Sequence, residues 1–167
     1  MRKRRIIDWD LVDSCATRGV ITVRELEELG VPRQTISRRL QAGGPWTRLL
    51  PGVALLATGP PTVDQRIEAA LRYAGHAATV TGLAAAAKHG LRRSPQVESV
   101  HVLVPSDRRR RAQAEFVQVE RTQRLPEPVH VHTTPIAPLP APCSTAHDGS
   151  PNWTESAHCL PNPYNAD

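Results

Sequence analysis

Glycine and proline cut the first third of the chain into short pieces, and this limits the fold more than any other feature. Gly19, Gly30, Gly43-Gly44 and Pro51-Gly52 separate apolar segments that are each about two or three helical turns long or less. The first segment starts at Trp9, with Leu11, Val12, Cys15 and Ala16 on one broad face, and stops at Gly19. Val20-Ile21 reads as a short extended link. Thr22 and Glu25 then form a Thr-x-x-Glu capping box, in which each side chain satisfies a free backbone N–H at a helix start. Leu26 and Leu29 give that helix its apolar stripe, and Gly30 ends it. Pro32 suits a first helical turn, where a missing N–H costs nothing. The pattern predicts a third helix to about Ala42, with Ile36 and Leu40 on its buried side.

The opposite face of that third helix carries Arg33, Gln34, Ser37, Arg38 and Gln41, with Thr35 and Arg39 at its margins. From Val31 to Gly59 there are four arginines (33, 38, 39 and 48) and no acidic residue. A short helix, a tight turn and a polar basic helix match the helix-turn-helix, whose second helix enters the major groove of DNA. Arginine can fork to guanine O6 and N7, and glutamine can do the same to adenine. Trp46–Leu50 and Val53–Leu56 flank Pro51-Gly52, a β-hairpin signal that would place a wing beside the helix. On this reading Arg33, Gln34, Ser37, Arg38 and Gln41 face the groove, while Arg39 and Arg48 touch phosphate.

The run GVITVRELEELGVPRQTISRRLQAGGPWTRLLPGVALLATGPPTVDQRIEAALRYAG resembles the N-terminal part of AbiEi-family antitoxins of bacterial type IV toxin–antitoxin systems. The resemblance continues through ATVTGLAAAAKHGL and the VHVLVP strand with its basic turn, over roughly residues 9–140. It implies a winged helix that binds promoter DNA and represses its own operon, beside a nucleotidyltransferase-like toxin. Other relatives continue into a domain related to very-short-patch repair endonucleases. Two further readings follow: a DNA-targeting half of such a nuclease, cut short, or an interaction module that binds a toxin.

Residues 60–140 read as an α/β unit. Thr62 and Gln65 form a second capping box, opening a helix with Ile67, Ala70, Leu71 and Ala74 inward. Ala78–Val80 is a short strand, and Thr81 can cap an alanine-rich helix that ends at Gly90. Val100, Val102 and Val104 alternate onto one strand face. Phe116–Arg121 and Val129–His132 are two more strands. Arg108, Arg109, Arg110 and Arg111 would lie in a turn between strands, where they could act as further phosphate contacts. His130 and His132 share a strand face without a third ligand, so an ordinary edge strand is expected there. Cys143, His147, His158 and Cys159 lack zinc-site spacing. The only lysines, Lys3 and Lys88, have no acid two residues before them, and no phosphate-cradling glycine loop is present. No catalytic residue, metal or cofactor is therefore assigned.

The last segment differs in kind. Nine of the 16 prolines lie in residues 126–167, and residues 135–167 hold three acids and no basic residue. Neither helical nor strand periodicity is visible from Ala141 onward, which predicts a disordered tail. Reread one nucleotide earlier with G/C-biased wobble bases, the tail becomes RAVLDGARRLPELDRVRALLAEPVQRR, an arginine-rich helical pattern. A lost base near Leu139-Pro140 would account for this and would leave the preceding unit incomplete.

The net charge is +5, no apolar run approaches a membrane span, and Met1–Arg5 lack the apolar core of a signal peptide. The expectation is a cytoplasmic α+β protein with no membrane contact. Residues 1–59 would form the winged helix-turn-helix, 60–140 an incomplete α/β domain and 141–167 a tail. Double-stranded promoter DNA would be its partner.

Overall fold

The computed structural model describes residues 7–91, 98–107 and 113–138. Within them, helices and sheets occur together, as α+β composition requires. The order is α1 (Trp9–Cys15), β1 (Val20–Thr22), α2 (Val23–Glu28), α3 (Arg33–Arg39), β2 (Thr47–Leu50), β3 (Val53–Leu55), α4 (Val63–Ala74), β4 (Thr79–Thr81), α5 (Gly82–Lys88), β5 (Val100–Pro105), β6 (Gln113–Ala114), β7 (Val117–Thr122), β8 (Val129–Val131) and β9 (Thr134–Ile136).

Both capping boxes form. The Thr22 hydroxyl accepts from the Glu25 amide while Glu25 accepts from the Thr22 amide, and Thr62 and Gln65 repeat the arrangement at α4. These contacts span three residues, so no tertiary partner is needed to form them. Thr81 occupies the cap position of α5, but its side chain makes no cap hydrogen bond.

Three expectations for residues 1–59 are corrected. Val20-Ile21 is a strand rather than a link: β1 pairs antiparallel with β3, which pairs with β2, in the order β1-β3-β2. Pro32 is the N-cap of α3 in an extended conformation, one position earlier than the first turn. Finally, α3 ends at Arg39 rather than near Ala42. Gly43 adopts φ +78°, and the Gly44 amide donates to the Gln41 carbonyl at 2.8 Å, so the chain turns there instead of continuing the helix.

The small sheet is buried on both faces. Adjacent strand residues point to opposite sides, and Val20 and Ile21 are both fully buried. Ile21 joins Val12, Leu26, Val31, Ile36 and Trp46 beneath the three short helices. Val20 instead joins Leu50, Val53, Leu55, Ile67, Ala70 and the β5 valines in a second core. Helix α4 supplies Ile67, Ala69, Ala70, Tyr73 and Ala74 to that core, which is why it packs against both sheets.

The larger sheet has the order β6-β7-β5-β4-β9-β8. Val100, Val102 and Val104 are fully buried, as their alternation predicts. Strand β7 runs parallel to β5 and begins at Val117. Strand β8 is an edge strand, as expected, but it ends at Val131. His132 lies in the following turn at φ 56°, so it does not share a strand face with His130. Strand β9, which contains Pro135, and the two-residue β6 were not anticipated. Among the described residues no helix is long and apolar enough to cross a membrane, and no group of three or more His, Cys, Asp or Glu could hold a metal ion. The tail from Ala141, with Cys143, His147, His158 and Cys159, lies outside the described residues.

Candidate nucleic-acid interface

The local design that presents α3 is simple. Ile36 is buried against Leu26 and Val31, which fixes one side of the helix and turns the other outward. Arg33, Gln34, Ser37 and Arg38 are all exposed on that outer side, while Thr35 is half-buried. Gln41 is exposed too, but it lies beyond the helix in the turn that leads to Gly44.

Arg33, Ser37 and Arg48 come together. With Arg24 and Glu27 they line a groove of about 450 Å³, whose apolar wall is Val23, Ile36 and Leu40. Strand β2 carries Arg48 exposed there, and its pairing with β3 shifts register between Arg48 and Leu50, so that Leu49 and Leu50 are both buried while the arginine is not. The hairpin turn at Pro51-Gly52 closes with Gly52 at φ +81°, and its carbonyl accepts from the Val23 amide at 2.9 Å. The hairpin is thereby tied to the start of α2.

The groove is not acid-free in space, although the segment from Val31 to Gly59 is acid-free in sequence. Glu27, at the end of α2, accepts hydrogen bonds from Nε and Nη2 of Arg33. The hydrogen bond from Arg33 holds the Glu27 carboxyl below its ordinary range and pushes the guanidinium up. Arg24 is paired with Glu28 at 2.9 Å across one helical turn. Arg38 and Arg48 are exposed and make no ion pair among the described residues.

Arg39 has a different setting. Its guanidinium carbon lies 3.9 Å from the Trp9 ring centroid and 5.0 Å from that of Trp46. The two indoles meet edge to face, with centroids 6.1 Å apart. A guanidinium on an aromatic face is held by the ring quadrupole and shields the rings from water. Arg39 thus closes the outer end of the small core, a position that leaves it half-buried. Arg108, Arg109, Arg110 and Arg111 lie outside the described residues.

Sequence reasoning missed Arg24, Glu27 and the Trp9–Arg39–Trp46 stack. The polar side of α2 was a readable signal for the first two, since Arg24 and Glu28 fall opposite Leu26 and Glu27 lies at the margin between them. The stack had none, because Trp9 lies thirty positions before Arg39 and a turn separates Arg39 from Trp46. Comparison of the chain with protein-family models and with curated proteins returns no match.

Proposed function

We propose that this chain is a non-enzymatic protein that binds double-stranded DNA through a winged helix-turn-helix within residues 1–59. The observation that carries the reading is the outward face of α3, where Arg33, Gln34, Ser37 and Arg38 stand beside Arg48 of the β2–β3 hairpin. Helix α3 has the exposure and residue types of a recognition helix, and its first turn, where base contacts concentrate, holds Arg33 and Gln34. On this reading the β2–β3 hairpin serves as the wing and Arg48 meets the phosphate backbone. Promoter DNA as the target, autorepression as the role and a nucleotidyltransferase-like toxin as partner rest on the AbiEi resemblance, and a cytoplasmic setting rests on the sequence composition. Arg39 belongs with the packing residues rather than with the phosphate contacts.

Fluorescence anisotropy with a duplex from the gene's own upstream region, against a scrambled duplex of equal composition, tests the reading. Specific binders of this kind commonly separate the two by about a thousandfold or more at physiological salt. Equal affinity for both duplexes would remove the repressor role. Absence of binding even at low salt would remove DNA altogether.

A further inference from the structure

We infer that Glu27 is a positioning residue for base readout: it holds Arg33 so that the remaining edge of the guanidinium faces the major groove. The inference rests on the DNA-binding reading and names its specificity-determining pair. A guanidinium has two edges that can fork, one formed by Nε with Nη2 and one by Nη1 with Nη2. Glu27 occupies the first, accepting from Nε with one oxygen and from Nη2 at 3.2 Å with the other. The second edge is the one that reaches guanine O6 and N7, and it stays open because the Arg33 side chain is 86% exposed. Glu27 is only 30% exposed, so the carboxylate sits behind the arginine rather than in front of it.

The geometry is set by packing. Leu26 and Ile36 meet in the core, and the Val31 amide donates to the Leu26 carbonyl at 2.9 Å. That reversal brings the end of α2 to the start of α3, across six residues of sequence. An acid in a DNA-binding groove repels phosphate, so it lowers affinity for every duplex alike. A fixed guanidinium loses less side-chain entropy on contact with one base pair. The pair therefore exchanges general affinity for direction. Phosphate contact falls instead to Arg48, which has no ion pair among the described residues.

The test is binding of the full chain to a pool of duplexes that covers all short sequences. Wild type is compared with Glu27→Ala, Arg33→Lys and Glu28→Ala. Glu28→Ala removes the same charge one residue away without touching Arg33. A forked contact discriminates its base pair by about ten- to a hundredfold. Glu27→Ala and Arg33→Lys are expected to reduce the preference at one base pair to less than about threefold, with general affinity equal or higher for Glu27→Ala. Glu28→Ala should keep that preference. Full preference in Glu27→Ala, or equal loss in Glu28→Ala, overturns the positioning role and leaves DNA binding standing. A wild-type chain that binds the duplexes with no preference at any position overturns the base readout, and one that binds none of them overturns the DNA reading itself. A thermal melt of each variant excludes unfolding as the cause, and Arg33→Lys, fully charged and exposed, keeps the test decisive if Glu27→Ala melts early.

Discussion

The Arg72 guanidinium reaches back 47 positions to the Glu25 carboxylate, with Nη1 at 2.6 and 2.5 Å from its two oxygens. The same guanidinium donates from Nε to Glu68 and from Nη2 to the Thr17 hydroxyl, each at 2.9 Å. Glu25 is also the acid of the capping box that starts α2. One carboxylate thus caps the second helix of the small N-terminal unit and ties it to α4, the helix shared by both sheets.

Arg72→Ala should cost about 2–3 kcal/mol of folding stability. The side chain is 15% exposed, and removing it strands Glu68, 14% exposed, without its cation. Breaking a buried pair on one side costs about 3–5 kcal/mol, and the greater exposure of Glu25 reduces this. Urea unfolding measures it, and a loss below about 1 kcal/mol would show that the junction is held by apolar packing alone.

Stability should fall on acidification. Burial by itself would raise the Glu25 carboxyl, but hydrogen bonds from Thr22 and the charge of Arg72 bring it below its ordinary value near 4.5. Lys88, 2.6 Å from Asp64, lowers that carboxyl from an ordinary 3.8 through a hydrogen bond. A lowered folded-state pKa means that the unfolded chain binds protons first, so this stabilisation is full above about pH 4.5 and disappears as pH falls through the folded-state values. Unfolding midpoints between pH 7 and pH 3 should show the decline, and Glu25→Gln should flatten it. An unchanged slope in that variant would assign the acid sensitivity elsewhere.

Two neighbouring glycines should respond differently to alanine. A Cβ at Gly44 would stand 2.4 Å from the Arg39 carbonyl oxygen, a backbone atom that cannot move aside without opening the turn. At Gly43 the space is open, and only the φ of +78° resists a side chain, at about 1 kcal/mol. Gly44→Ala should therefore be the more destabilising, by about 2 kcal/mol or more, and should move Trp46, whose amide donates to that same carbonyl. Equal melting temperatures for the two variants would contradict this turn geometry.

The arginines of the α3–β2 region should separate into three behaviours. Arg38→Ala is expected to weaken a preferred duplex by about 1–3 kcal/mol more than others. Arg48→Ala should weaken all duplexes and reduce the salt slope by about one unit. Arg39→Ala should act on folding, lowering stability by about 1–2 kcal/mol through loss of its stack on Trp9 and Trp46. Anisotropy at several salt concentrations, with parallel melts, distinguishes them. A uniform loss of DNA affinity across all three would refute the division.

What the sequence determined by itself is what short-range chemistry decides. Thr22 with Glu25, and Thr62 with Gln65, meet within one helical turn. The alternation of Val100, Val102 and Val104 sets which side of a strand is buried without naming the strand's neighbours. The outward face of α3 was legible for the same reason, since Ile36 and Leu40 mark its inner side. Only the tertiary structure decided which distant groups share a place. Glu27 neutralises Arg33 because a helix reversal brings them together. Arg39 meets two tryptophans because the core closes over it. Strand β9 forms although it contains Pro135, because its inner residues Thr134 and Ile136 are buried beside β4. Helix caps and strand alternation depend on bonds and periods within a few residues, whereas ion pairs, ring stacks and strand neighbours depend on where packing returns the chain.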